Sequence, residues 1–471
     1  MKLFLSGTVL CISAFSVLSF PANGQSASLP SAPAGSALPS AQMQSVPQSG
    51  VDVPPLALPR VAVQTHGVEL SLAEAEARAL KNQPRLLAEQ FRAQAANKRT
   101  AESRALYFPQ VFGNLTAVET NGDSAVAAGA LSTSSISTRA AAGGSLVQMI
   151  TDFGHTSNLV QSARFEATAA EQNEQRIRQQ IVMQVDEAYF EAQAADKVRK
   201  TTQAVLDFRN VTLRQLSALA QSQLRSTLDV QFAQVLVSEA ELANVRAESA
   251  AQKAQAQLVA AMGAKGGATY VLSEVPMPAA PDADPEGYIS AAIADRSDLK
   301  ALQLHSESAV HEARAEHDLN YPTVNALASG GEVPIHDSTI HHEYGAVGVN
   351  INVPIFNGGL YSARSAAAKL EARAAEQDAS LREIEVARDV RMAWADARDA
   401  YLQIAVAQRL VDETNVAMRL AQARYNASLG GIVELNQAEL NQTSALITAA
   451  TARFDYLRAM TAFRFAMGSV H

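Results

Sequence analysis

Between Glu343 and Arg364 the chain reads EYGAVGVNINVPIFNGGLYSAR, with Val347, Val349, Ile351, Val353 and Ile355 on every second residue. Ala346, Gly348, Asn350 and Asn352 fill the positions between them with small or polar groups. Period two predicts a strand over 347–355 with one apolar and one polar face. Asn357, Gly358 and Gly359 stop it, and the residues from Leu360 to about Ala427 contain neither Gly nor Pro. Rich in Ala, Arg, Glu and Gln, that run predicts one helix of roughly 100 Å at about 1.5 Å per residue. A strand alternating like a membrane strand thus feeds a helix far longer than a globular core uses.

The same device occurs earlier. Ser71 with Glu74 three residues on is a capping box opening a helix. Asn82-Gln83-Pro84 interrupts it, and a second helix runs to about Leu106, ended by Phe108-Pro109. Weaker strands are expected at 111–118 and 145–150, around a tip rich in Gly, Ser, Thr and Ala. Asp152-Phe153-Gly154 closes that hairpin. A very long helix follows from about Thr156 to Leu224, then a turn at Arg225–Thr227 and a helix from Leu228 to Met262. After a Pro- and Gly-rich connector the order starts again, with Ser297 as the expected N-cap before a strand starting at Pro322.

Tyr107-Phe108-Pro109-Gln110-Val111 corresponds to Asn320-Tyr321-Pro322-Thr323-Val324, and Gly154 meets Gly359. From there the halves keep one offset: Tyr189 meets Trp394, Asp229 meets Glu434, and Met262-Gly263 meets Met467-Gly468. An internal repeat is therefore the chain's main organisation. Seven-residue spacing runs through both halves. Val390, Ala397, Ile404, Val411, Met418 and Tyr425 form one row, and Val433, Leu440, Ile447 and Phe454 another. The first half keeps the phase in Val185, Ala192, Leu206, Leu213 and Ala220, then Leu228, Val235 and Leu242, with Arg199 as one break. Such rows predict supercoiled antiparallel helices.

The expected organisation is a signal peptide at 1–24, a Pro/Ser/Ala-rich leader at 25–65, a first repeat at 66–263, a connector at 264–285 and a second repeat at 286–471. Lys2, the apolar run Leu3–Phe20 and the small residues at Ala22-Asn23-Gly24 carry the signal reading. Cys11, the one cysteine, lies inside that segment after Leu10, which argues against lipidation and leaves the mature chain without thiols. No later stretch has the ~18 uninterrupted apolar residues of a spanning helix, so a membrane crossing has to use strands. Two halves supply four strands. An open sheet edge cannot lie in lipid, so four strands in a membrane have to be closed into a barrel by further copies.

Composition narrows the function. Aromatic residues make up 6% of the chain, which suits close-packed alanine-rich helices better than a thick core. A net charge of -9 with both signs interspersed argues against nucleic-acid binding. Neither a phosphate loop nor a nucleotide fingerprint occurs, no nucleophile–base arrangement stands out, and no cofactor is expected. Asp152-Phe153-Gly154 spells a kinase metal motif without the other kinase elements, and its repeat partner is Asn357-Gly358-Gly359, so it reads as a hairpin-to-helix turn. Six of the nine histidines fall between His305 and His342. His305, His311 and His317 are six apart and do not share a helix face. His336, Asp337, His341 and His342 fall at a hairpin tip, where a solvated loop is expected rather than a metal site. Tyr189 and Trp394 read as packing residues.

In its doubled order, in Val353-Pro354-Ile355-Phe356-Asn357-Gly358-Gly359 and in the tips at Leu228-Asp229-Val230 and Val433-Glu434-Leu435, the chain resembles the TolC family of outer membrane efflux proteins from about Val68 onward. The resemblance implies a homotrimer with a twelve-stranded β-barrel in the outer membrane, continuous with a coiled-coil α-barrel in the periplasm. It implies the passive exit duct of a tripartite efflux pump, conducting small-molecule substrates from a periplasmic adaptor and an inner-membrane transporter to the exterior, with a type I protein secretion duct as the alternative. A periplasmic coiled-coil scaffold is the distant alternative. It also implies that the tips Arg225–Asp229 and Gly430–Glu434 close the periplasmic end. Glu434 stands at the family's first acidic gate position, Gln437 where some relatives carry a second acid, and Asp229 is the repeat-related acid. Gly430, Gly431 and Arg225 shape the tips. Val347, Val349, Ile351, Val353 and Ile355 would face lipid, and Asp152, Gly154, Asn357, Gly358 and Gly359 would mark the junction of the two barrels.

Overall fold

The computed structural model describes residues 68–119, 124–128, 131–136, 139–267, 269–335 and 341–469. In chain order these form β1 (Val68–Leu70), α1 (Leu72–Asn82), α2 (Pro84–Ala105), β2 (Gln110–Val118), β3 (Ser124–Ala128), β4 (Leu131–Ile136), β5 (Arg139–Thr151), α3 (His155–Gln221) and α4 (Thr227–Ala261). Then come β6 (Tyr270–Leu272), α5 (Glu286–Asp295), α6 (Ser297–Asp318), β7 (Thr323–Ile335), β8 (Glu343–Asn352), α7 (Leu360–Asn426) and α8 (Ile432–Ala466). The helix pairs repeat residue for residue: α3 and α7 are each 67 residues long, α4 and α8 each 35. The tandem mostly helical fold with two hairpins is the one the sequence predicts.

The strands β2, β5, β7 and β8 form one antiparallel sheet in that order, so the two hairpins lie side by side and β2 and β8 are its edges. Asn352 pairs with Thr323 at the base of β8 and ends the ladder. Val353 and Ile355 therefore lie beyond the strand expected at 347–355. Continuing the register would set Val353 opposite Pro322, and neither Pro322 nor Pro354 has an N–H to donate. In the first hairpin β5 begins at Arg139, earlier than expected, and the tip carries its own small pair, β3 with β4.

The helices pack on a narrower seam than the bulky heptad rows suggested. On α4 the buried positions seven apart are Ala233, Ala240, Ala247 and Ala254, and on α8 Ala445 and Ala452 continue the same phase. Alanine lets backbones approach closely, while Leu228, Val235 and Leu242, with Val433 and Leu440, remain exposed. The row on α7 is the true seam: Val390, Ala397, Val411, Met418 and Tyr425 are buried.

Ser71 and Glu74 form the expected capping box. Ser297 is not a cap. Arg296 occupies that position in extended conformation, and Ser297 is buried in the first helical turn. Arg296 is held there by ion pairs to Asp298 at 2.7 Å and Asp389 at 3.4 Å. Tyr189 and Trp394 do pack, and both also grip the connector. The Tyr189 hydroxyl lies 2.9 Å from the Leu70 carbonyl and 2.8 Å from that of Ser273, and Trp394 Nε1 donates to the Asp282 carbonyl at 2.9 Å. Beside Tyr189 lies a parallel pairing of β1 with β6 that periodicity did not reveal, three residues being too short to show a pattern.

Candidate functional site

The two helical tips share one backbone solution. Gln223 and Ser428 adopt positive φ of 58° and 60°, and the amides of Leu224 and Leu429 reach back to the carbonyls of Leu219 and Arg424 at 2.9 and 2.8 Å. That closes each long helix with its terminal carbonyls satisfied. The starts of the return helices differ. Ser226 Oγ accepts from the Leu228 amide at 3.1 Å, whereas Gly431 supplies no side-chain cap to α8.

Side chains join the tips across the repeat. The Tyr425 hydroxyl donates to Asp229 Oδ2 at 2.9 Å, the Arg225 guanidinium lies over the Tyr425 ring at 4.2 Å, and Arg225 Nη2 donates to the Tyr425 carbonyl at 3.1 Å. Burial, with the hydrogen bond to Asp229, pushes the Tyr425 phenol up to about 12, so it remains a donor. Glu434 Oε1 pairs with Arg424 Nε at 2.9 Å, and a Cβ on Gly430 would fall 2.9 Å from its Oε2. Gly430 thus leaves room for that carboxylate. Gln437 donates to Asn441 at 3.0 Å, on its own helix. Of the predicted tip residues, Asp229 and Arg225 come together through Tyr425, and Glu434 with Gly430 through Arg424. Farther along, Arg209 on α3 and Glu439 on α8 form a buried ion pair at 2.7 Å, each side chain 6% exposed. Arg209 and Glu439 line a groove of about 900 Å³ together with Phe208, Leu219, Met418 and Leu446. Tyr425, Arg424, Arg209 and Glu439 were not singled out from sequence; only Tyr425 carried a signal, as the polar end of an apolar heptad row.

At the other end the two junctions also match. Asp152 accepts from the Gly154 amide at 3.3 Å and the Thr156 amide at 2.7 Å, capping α3, while Phe153 and Gly154 take φ of 53° and 120°. Gly358 and Gly359 take φ of 66° and 85°, and Asn357 accepts from the Leu360 amide through its carbonyl at 3.3 Å. The kinase-like triplet is a helix cap. Around it Phe108, Phe153, Tyr321, Ile355 and Phe356 are exposed, Ile355 by 93%. A collar of this kind suits a membrane–water boundary. Above it Val347, Val349 and Ile351 project from one face of β8, also exposed, with Val111, Leu146 and Ala328 in register with Val347 on the neighbouring strands.

Among the described residues no group of three or more His, Cys, Asp or Glu could hold a metal ion. His305 pairs with Glu166 at 2.6 Å and His311 with Asn158 at 3.1 Å. His336 and Asp337 lie outside the described residues. No described helix is long and apolar enough to cross a membrane.

Sheet, collar, paired long helices and locked tips together define a protein of the outer membrane channel class. The family model for outer membrane efflux proteins matches residues 77–264 and 288–469, and the chain belongs to that family. It is similar to three solved structures. The outer-membrane channel OprN is 19% identical, with a TM-score of 0.74 over 84% of this chain and 90% of that one. VceC of Vibrio cholerae is 19% identical, with a TM-score of 0.72 over 84% and 96%. The CmeC outer membrane channel of Campylobacter jejuni is 15% identical, with a TM-score of 0.73 over 84% and 85%. Protein CyaE of Bordetella pertussis is 24% identical over 303 residues, which span 62% of this chain and 63% of CyaE.

Proposed function

We propose that three copies of this chain form an outer membrane exit duct that passively conducts small molecules. A periplasmic adaptor and an inner-membrane transporter deliver them and supply the energy. The observation that carries this reading is the four-stranded sheet, with unpaired edges at β2 and β8 and an apolar face, set directly on helices of 67 residues. Lipid tolerates such a sheet only when its edges are closed, and three copies close twelve strands. The exposed leucine and valine rows on α4 and α8 are the matching surface for a neighbouring copy in the α-barrel. Residues 1–24 direct export and are removed, 25–65 form a leader, and the repeats 66–263 and 286–471 build the duct.

In this arrangement the tips form the closed periplasmic end, with Glu434 and Asp229 as its acidic residues. The groove beside them, apolar with Lys197, Lys200 and Arg419 at its rim, supports the adaptor as the partner gripping the tips. The test is reconstitution of the full chain: cross-linked trimers in outer membrane fractions and single-channel currents in planar bilayers are expected. Recovery as a soluble periplasmic monomer without channel activity would refute the proposal.

A further inference from the structure

One row across the sheet has an unusual composition. Asn114 of β2 pairs with Gly143 of β5, Gly143 with Gly331 of β7, and Gly331 with Tyr344 of β8. Directly paired residues project to the same face, so this row holds one large ring, two empty positions and one amide. The ring uses the empty positions. A Cβ on Gly143 would overlap the Tyr344 hydroxyl, and one on Gly331 would fall 2.8 Å from the same oxygen. Tyr344 therefore lies along the sheet across two strands instead of standing up from it.

The face is the more polar of the two. It carries Asn350 and Asn352 on β8, Ser329 and Asn325 on β7, and a hydrogen bond of 3.5 Å from Asn114 to Ser145, alongside Phe112, Val147 and Leu327. Val347, Val349 and Ile351 occupy the opposite face. In a barrel whose apolar face meets lipid, Tyr344 faces the lumen. It is the second residue of β8, but its row crosses the middle of the wall: Asn114 is the fifth of the nine residues of β2, and β5 and β7 run four residues beyond Gly143 and Gly331.

We propose that Tyr344 sets the width of the barrel lumen at the level of its row, and that Gly143 and Gly331 form the recess that keeps its ring against the wall. The inference rests on the duct reading above. The ladder fixes the backbone on both sides, so a ring expelled from the recess has one direction open to it, away from the sheet and into the lumen. Three copies would do so at one level. The recess thus lets an aromatic side chain line the lumen without obstructing it.

Gly143→Ala is the more informative change: its Cβ would also fall 2.9 Å from the Gly330 carbonyl, but at Gly331 an added Cβ would collide with the Ala142 carbonyl and lie 2.6 Å from Gly143 Cα. The experiment sizes the barrel lumen by adding graded polyethylene glycols to the barrel side of channels in planar bilayers. Gly143→Ala is expected to shut out the largest polymer that the wild type admits, and Gly143→Ala with Tyr344→Ala to readmit it. Should Gly143→Ala fail to assemble, Tyr344→Trp poses the same question, since the larger ring does not fit the recess, and it is expected to exclude that polymer too. An unchanged cut-off in Gly143→Ala, or in Tyr344→Trp where that stands in, overturns the proposal. So does a double variant as narrow as Gly143→Ala alone, which would put the effect in the backbone. A wild-type chain that forms no channel overturns the duct reading and this inference with it, whereas a conducting wild type with an unaltered cut-off in the variants overturns this inference only.

Discussion

The Tyr425 hydroxyl donates to Asp229 Oδ2 across 2.9 Å, so the last turn of α7 in the second repeat holds the first turn of α4 in the first. Tyr425 is also buried, and its ring carries the Arg225 guanidinium. A hydrogen bond to a charged acceptor contributes about 1.5–3 kcal/mol, concentrated here where two helical hairpins meet. Tyr425→Phe keeps the ring and removes only the donor. It is expected to loosen the tips and raise single-channel conductance while leaving the helical content unchanged by circular dichroism. Conductance equal to wild type would show that this bond does not hold the duct closed.

Glu434 poses a different electrostatic question, because Arg424 lies 2.9 Å away and offsets its charge. In the proposed trimer, three Glu434–Arg424 pairs near the axis would present far less net field than three bare carboxylates. Glu434→Ala leaves the Arg424 cation unbalanced, so the variant is expected to shift permeability toward anions. Reversal potentials in a salt gradient measure this. A preference identical to wild type would place Glu434 away from the conduction path.

Asp186 on α3 makes stability depend on pH. Burial, followed by the Glu76 carboxyl beside it, raises Asp186 from its ordinary 3.8 to about 8, and its Oδ1 has no hydrogen-bond partner. Arg464 opposes the shift and Glu187 adds to it. The folded chain therefore holds a proton that the unfolded chain releases between about pH 4 and about pH 8. Stability from this group is present at the acid end, falls as pH rises through that window, and is level above it. Glu187 and Glu439, both raised by burial, act in the same sense. At Asp298 burial is outweighed by Arg296 and Arg382, which hold it at about 2, so its contribution changes only in stronger acid. Thermal melts from pH 5 to about pH 9 should show the decline in wild type. Asp186→Asn should flatten much of it and be the more stable protein at the alkaline end. Parallel melting curves for the two proteins would refute the assignment.

Much of the architecture was legible because it is written at long range in repeating patterns. Period-two alternation located β8, the absence of Gly and Pro over tens of residues located α7, and the Gly154–Gly359 correspondence transferred both to the weaker first half. What failed was local. Val353 and Ile355 continue the alternation, but a strand lasts only as long as its partner, and β7 begins at Thr323. Ser297 has the composition of a cap, yet the ion pairs of Arg296 place the cap one residue earlier. The bulky heptad positions of α4 and α8 were read as the seam although alanines occupy it, since periodicity gives a phase and not the identity of the neighbour. At the tips, Asp229 and Glu434 were found as acids, but their partners Tyr425 and Arg424 lie on α7, where sequence proximity offers no clue for Tyr425.

The buried pair Arg209–Glu439 gives the clearest stability test, since it joins the two repeats at 2.7 Å with both side chains 6% exposed. Burying two charges is costly, and their mutual attraction offsets that cost only while both are present. Removing one partner leaves the other desolvated and unpaired. Arg209→Met is therefore expected to destabilise the helical region by about 3–5 kcal/mol. Adding Glu439→Leu removes the stranded charge and should recover most of that loss, since the pair is bounded by Leu216, Leu435 and Met418 in the same groove. Chemical denaturation of detergent-solubilised protein measures both variants. If Arg209→Met alone costs nothing, water reaches Glu439 in the assembled duct, and the groove stays hydrated rather than packed.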